Sequence, residues 1–557
     1  VIKLIILVAA LLILAAWWYW PESAPRRRLP GNRVRWMKIR LHLRLRPGRG
    51  LATLFELWLR WGRLAAWRKS KRIRPSLSAW HRMRRAAECS VIAGRAQYRH
   101  RLHIPLEEHV LVMSPPRQLK TAWLATVVLH YPGPVLSTTT KADVFNLTSG
   151  IRQALGPVHV FNPQGIGGVP STFCWSPVAG CEDPAVAIRR ADSFAMSVSQ
   201  KGVEDSSFWS AKASDYLRGY FAAAALADVD MRLVAGWVLG ADPEQPERIL
   251  AAAGMHQWAA TLAELRGEAQ KTASTVRMVM SRAIGFMADP QLAASVISVG
   301  HGFDIASFLG GRGTLYMIAE PQHEDAPVAP LFAAMADEIH YQAELTGQAS
   351  AAGRLDPPLL MALDEVVQIC PVPLPVWLSD SGGKGIQVIT VAHGEAQLAS
   401  RWEEHGKQVI LDTSSVKCLL PGVTDTETLE MAGKLCGKGA YREHGRDEWS
   451  RHDVLDPDMI RQLPTAFALV LRSNHAPVIA RVPRAWRDRT YRKARRRGQA
   501  TATITPARAV STAPESAVPV MTAADFEPEP SLVGNGHPND GGQRHGESYP
   551  WIGDEHD

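Results

Sequence analysis

The stretch Val110–Ala122, VLVMSPPRQLKTA, constrains the chain more than any other. A short apolar run, Val110 to Met113, ends in the turn-forming patch Ser114-Pro115-Pro116-Arg117-Gln118-Leu119, and Lys120-Thr121 then opens a helix-like segment to His130. Strand, tight loop, Lys-Thr and helix is the layout of a phosphate-binding loop. In such a loop, backbone N–H groups at a helix N-terminus cradle phosphate oxygens, the lysine meets the β- and γ-phosphates, and the hydroxyl holds Mg²⁺. The pattern G-x-x-x-x-G-K-[ST] places glycines where this chain has Ser114 and Leu119; Lys120 and Thr121 are as required. Taken alone, the stretch reads more readily as an ordinary strand–turn–helix with a surface lysine.

The chain downstream supplies the context. Pro134–Thr138 and Val158–Phe161 read as further strands, the first followed by Thr140–Asp143 and a helix to about Leu155. Such alternation implies a mostly parallel, doubly wound sheet whose ligands sit beyond the strand C-termini. Pro184 to about Ser307 is Ala-rich with helical spacing and reads as an all-helical insertion. Strands resume at Thr314–Ile318, followed by a helix from Pro327 to Leu345. Leu359–Leu363 then runs into Asp364-Glu365, a buried strand delivering two carboxylates at its C-terminal end, as in a Walker B motif. There the Asp holds the Mg²⁺ shell and the Glu polarises the attacking water. Ser381–Gly385 reads as a loop leading into a strand, Ile386–Val391, with a helix after it to about Glu404. His393 and Gln397 stand where motor ATPases place a γ-phosphate sensor, although a satisfied loop histidine fits His393 equally. Gln408–Leu420, Ala466–Leu471 and Val478–Ala480 supply the last strands.

At 557 residues the chain exceeds one core and suggests about three domains. Its 46% apolar and 21% charged residues are globular values. The net charge of +9 is concentrated: Arg26–Arg49 holds ten Lys or Arg and no carboxylate, and Arg481–Arg497 forms a second cluster. Clusters of this kind suit an anionic membrane surface or nucleic acid, and a solvated basic face is the plainer alternative. The six cysteines show no metal spacing and read as thiols of a reducing compartment. Residues 1–20 are apolar apart from Lys3 and end in Trp17-Trp18-Tyr19-Trp20, which suits a single transmembrane helix with an aromatic belt. The basic flank places the remainder on the cytoplasmic side of the membrane, and argues against a cleaved signal peptide. Leu51–Trp67 reads as an amphipathic helix along the inner leaflet. From about Gly498 the composition is that of a disordered tail. The expected organisation is a span at 1–20, a basic segment at 21–104, a nucleotide-binding domain at 105–183 and 308–484 interrupted by an all-α domain at 184–307, and a basic stretch with a disordered tail at 485–557.

The order of these motifs resembles the conjugative coupling proteins of type IV secretion, the TraG/TraD-type ATPases. The likeness covers roughly 108–484 and rests on Pro115-Pro116-Arg117, Lys120-Thr121, Ser137–Asp143, Phe161–Gln164, Trp175-Ser176-Pro177, Leu363-Asp364-Glu365, Ser381–Gly385 and Ala396-Gln397-Leu398. It implies a membrane-anchored, RecA-like P-loop motor with a helical insertion, assembled as a homo-hexamer. Such a ring brings DNA with its relaxase to the secretion channel, using ATP and Mg²⁺. On that reading Pro115 to Thr121 bind nucleotide, Lys120 contacts the phosphates, Thr121 and Asp364 hold Mg²⁺, and Glu365 orients water. An arginine from the next subunit completes the site, with Arg401 and Arg354 as candidates.

The departures are specific. The family carries glycines at Ser114 and Leu119 and a Gln-Ser pair at His393-Gly394, and it usually has two N-terminal spans. If Leu119 adopts φ > 0, the strain is about 1–2 kcal/mol. A non-hydrolysing recruitment subunit of the same fold is therefore a second reading. An FtsK-like translocase is a third, disfavoured by the size of the insertion and the lack of an evident winged-helix module.

Overall fold

Short strands buried along their whole length build the middle of one large sheet. The computed structural model describes residues 50–506 apart from 117, 199–205, 298–301, 322–326 and 443–448. The expected span at 1–20, and the tail from 507 onward, lie outside the described residues. Among the described residues no helix is long and apolar enough to cross a membrane.

The strands are β1 (Ser90–Arg95), β2 (Arg101–Pro105), β3 (Val110–Met113), β4 (Val135–Thr139), β5 (Val158–Phe161), β6 (Thr314–Ile318), β7 (Leu359–Leu363), β8 (Ile386–Ala392), β9 (Val416–Leu419), β10 (Lys438–Arg442), β11 (Trp449–Asp453), β12 (Phe467–Arg472) and β13 (Val478–Arg481). Eleven of them form one sheet in the order β2-β1-β13-β12-β9-β3-β8-β7-β4-β6-β5, and β10 and β11 form a separate hairpin. From β9 to β5 all pairings are parallel. From β9 to β2 they are antiparallel. The parallel strands read as continuous apolar runs because both faces are covered. Leu111 and Met113 of β3 enter one core while Val110 and Val112 enter the other, and β7 divides likewise into Leu359, Met361, Leu363 and Leu360, Ala362.

Between β5 and β6 the described residues form helices and no strand. Phe194, Phe221 and Phe286 of this block are fully buried, in the same apolar cluster as Leu136 and Met361 of the sheet. The helical block therefore shares a core with the sheet rather than standing apart from it.

Four expectations are corrected. Leu51–Trp67 is two helices, Leu54–Arg60 and Arg63–Ile73. They break where Trp61 turns inward and Gly62 packs so closely that a Cβ would stand 2.5 Å from the Trp58 carbonyl. Ser381–Lys384 is the last turn of the helix Leu374–Lys384, closed by left-handed Gly385. Helical Gly382 is what lets this turn lie on the Glu107 backbone. Gln408–Thr413 is helical: after a kink at Trp402-Glu403 the helix Glu395–Thr413 resumes, burying Ile410 and Leu411. The tail is ordered to about Ile504. Gly150 N donates to Ala500 O, Ala502 N donates to Ser149 Oγ, and Ile504 packs on the core, so residues 499–504 are pinned along the helix Asp143–Gln153.

Candidate active site

Sheet register brings the sequence motifs together. Met113 of β3 pairs with Ala392 of β8, and Leu363 of β7 pairs with Thr390 of β8. The residues that follow these strands, Ser114, Asp364-Glu365 and His393, therefore emerge side by side at one end of the sheet. That end is the ligand crevice of an open α/β fold. β8, which ends just before His393, lies between β3 and β7.

Lys120 is the first residue of the helix Lys120–His130 and is buried. Its ammonium donates to Glu365 Oε1 and lies 3.8 Å from Asp364 Oδ1. Asp364 Oδ1 is buried and accepts no hydrogen bond. Burial pushes the Asp364 carboxyl up to about 6, because desolvation outweighs the Lys120 charge. An orphaned, desolvated carboxylate oxygen beside a Lys-Thr pair fits a divalent cation better than it fits an empty interior. The Thr138 hydroxyl donates to the Asp364 carbonyl (3.0 Å) and fixes the strand end.

His393 Nδ1 donates to the Ser114 carbonyl (3.0 Å), and its Nε2 stands 3.2 Å from Glu365 Oε2. The neighbouring Glu365 carboxylate raises the His393 pKa above its ordinary value, against partial burial. Burial disfavours ionised Glu365, but His393 and Lys120 outweigh it and hold Glu365 below the usual glutamate range. Glu365 thus lies between the Lys120 ammonium and the His393 imidazole.

Two residues here store backbone strain. Leu119, the N-cap of the Lys120 helix, has φ 62° and ψ 9°, and Glu365 has φ 51° and ψ 40°. Leu119 occupies the left-handed conformation that glycine takes without a Cβ clash. Its side chain packs against the core, which offsets part of the cost.

The remaining predicted residues are placed as follows. Pro115 and Gln118 border Gly422, in the loop after β9. Pro116 is exposed and Thr121 half-buried, while Arg117 lies outside the described residues. Gln397 Oε1 accepts from the His393 backbone N–H (2.7 Å), so it acts on the histidine's position. Arg401 donates to the Met196 carbonyl (2.7 Å) at the end of the helix Pro184–Met196. Arg354 is buried and donates to the Gly382 carbonyl. Asn162 is stitched into its own loop through Ile166 and Val169. The Ser114 carbonyl escaped sequence reasoning, since a backbone group carries no motif signal, and Thr138 stood only within the Ser137–Asp143 motif with no role given to it.

The sequence model of one family, described as type IV secretory system conjugative DNA transfer, matches residues 65–506. No curated protein matches the chain. Among solved structures, the plasmid coupling protein TrwB in complex with the GTP analogue GDPNP is 18% identical, with a TM-score of 0.53, covering 72% of this chain and 92% of that one. A trigonal form of the bacterial conjugative coupling protein TrwBdeltaN70 with sulphate is 19% identical, with a TM-score of 0.53, covering 71% and 89%. TrwB with ADP and Mg²⁺ is 17% identical, with a TM-score of 0.51, covering 68% and 87%. At these identities the likeness is one of fold.

Proposed function

Because the chain belongs to the type IV secretory system conjugative DNA transfer family, we propose that it is the membrane-associated coupling ATPase of such a system. It recruits DNA with its attached relaxase to the secretion channel and works as a homo-hexameric ring at the bacterial inner membrane. The observation that carries the reading is the meeting of Lys120, at the start of its helix, with Asp364 and Glu365 at the end of β7. Bound ATP with Mg²⁺ supplies a phosphoanhydride bond and a Lewis acid. With these bound, Lys120 would exchange its contact with Glu365 for one with phosphate, and Asp364 and Thr121 would hold the cation. Glu365, still held by His393, orients water and accepts its proton. Nucleotide and Mg²⁺ in the TrwB structures support this cofactor choice.

A second reading, a non-hydrolysing recruitment subunit, draws on the loop itself. Pro115 and Pro116 have no N–H to offer phosphate, and Leu119 carries its side chain in a left-handed position. The two readings separate on DNA-stimulated ATP hydrolysis by the full chain, measured beside Lys120→Ala and Glu365→Gln. Turnover lost in both variants supports the motor. Nucleotide binding without turnover, in a preparation that binds DNA, supports the recruitment subunit.

A further inference from the structure

The helices Leu54–Arg60, Arg63–Ile73 and Ala79–Arg84 pack in series and leave large apolar side chains in water. Phe55 is 66% exposed, Trp58 52%, Trp67 43%, Trp80 56% and Met83 55%. The pattern is two-faced. In Arg63–Ile73, Ala66, Ser70 and Ile73 are buried, while Leu64, Trp67 and Lys71, spaced three and four apart, are exposed. In Leu54–Arg60, Leu57 is buried and Phe55 and Trp58 are exposed. Single exposed hydrophobics need no explanation, but a run of tryptophans across three consecutive helices does.

The charge is equally one-sided. Between Gly50 and Arg85 the only carboxylate is Glu56, which caps its own helix with Thr53. Lys69, Arg72 and Arg74 are neutralised by Glu107, Glu108, Glu88 and Asp356. Arg60, Arg68, Lys71, Arg84 and Arg85 have no carboxylate partner among the described residues, and Arg84 lies 4.4 Å over the Trp80 ring. Nucleic acid uses cations and flat rings, but it has no use for exposed Leu54, Leu64 and Met83. An anionic bilayer surface uses all three classes: aliphatic groups at the acyl boundary, tryptophan at the interface, and Lys or Arg on headgroups. Sequence order agrees, since this segment directly follows the ten basic residues of Arg26–Arg49 and the apolar residues 1–20.

We propose that Leu54–Arg84 is an interfacial membrane-contact surface that lays the body of the protein on anionic lipid, separately from any spanning anchor. It does not depend on the nucleotide chemistry. The test is hydrogen exchange on the full chain in detergent, in phosphatidylcholine nanodiscs and in nanodiscs of roughly one-third phosphatidylglycerol. Exchange in peptides covering 54–84 is expected to slow about threefold or more in the anionic discs relative to detergent, and less in phosphatidylcholine alone. Trp58→Ser, Trp67→Ser and Trp80→Ser combined should abolish the slowing while leaving exchange elsewhere unchanged. Arg68→Glu with Lys71→Glu should weaken it and remove its dependence on anionic lipid. Equal exchange in detergent and anionic discs overturns the proposal. So does protection that appears without lipid, on adding duplex DNA or on raising protein concentration, which assigns the surface to nucleic acid or to a second copy.

Discussion

His393 Nε2 lies 3.2 Å from Glu365 Oε2 while its Nδ1 donates to the Ser114 carbonyl, so one imidazole joins the phosphate-loop strand to the carboxylate strand. The Nδ1 proton is committed to a carbonyl, so the charge of the ring is decided at Nε2, where a carboxylate favours the imidazolium. A glutamine at this position would keep hydrogen bonding and lose the charge.

The pH consequence has a definite sign. The folded-state pKa of His393 is raised above 6.5, so its contribution is complete below 6.5 and disappears as pH rises through the folded value. The stability advantage of wild type over His393→Gln should therefore shrink as pH is raised from about 6.5 towards 9. Chemical denaturation of both proteins across that range checks it; a constant difference would mean that folding does not raise the pKa of the imidazole.

Asp364 behaves in the opposite sense to a salt-bridged aspartate. Its carboxyl is raised from 3.8 to about 6, so the protein without metal loses stability as pH climbs through that window. Asp364→Asn should melt higher than wild type in a chelator above pH 6, by about 1–3 kcal/mol, and should not below pH 4. The same variant should lose the stabilisation that Mg²⁺ with nucleotide gives wild type. Parallel thermal melts with and without Mg²⁺ measure both effects.

Leu119→Gly sets two terms of similar size against each other. Relief of a left-handed Leu is worth about 1–2 kcal/mol, and the lost apolar contact of a partly buried Leu about the same. Unfolding free energy should thus change by less than about 1 kcal/mol. Nucleotide affinity should rise several-fold, because the Cβ no longer crowds the loop. Titration calorimetry with a non-hydrolysable analogue, beside denaturant melts, reads the two terms separately.

Gly382→Ala should destabilise the fold by about 1–3 kcal/mol, since its Cβ would stand 2.3 Å from the Glu107 carbonyl oxygen in a packed interior. Gly383, with open space around the same helical turn, should tolerate alanine. Paired melts of the two variants test whether the close approach sets the cost.

The sequence was most legible where an apolar run is buried on both faces. Thr314–Ile318 and Leu359–Leu363 are strands over those same residues, with Asp364-Glu365 at the expected end. It was least legible where long-range packing overrides local pattern. Val409-Ile410-Leu411 looks like a strand but lies in a helix that buries one side. Ser381–Gly385 looks like a loop because its glycines serve a close approach to Glu107 and a helix stop rather than a turn. β1 and β2, within an Arg-rich segment, gave no alternating signal strong enough to separate from the surrounding helices. The site shows the same contrast: carboxylates and lysine carry motif signals, whereas a backbone carbonyl such as that of Ser114 carries none.

The order of strands also dictates a schedule for synthesis. β1 hydrogen-bonds β2 and β13, and β3 pairs with β8 and β9, so Val110 meets Ile389 on one side and Val416 on the other. Until the ribosome has released those later strands, β3 has neither neighbour and the emerging N-terminal hairpin has an open edge. Contacts of such separation form late and expose sticky edges meanwhile. Nascent chains truncated before β8 should therefore call on chaperones, and a nonsense mutation anywhere before β13 leaves a sheet that cannot close on its own N-terminal hairpin.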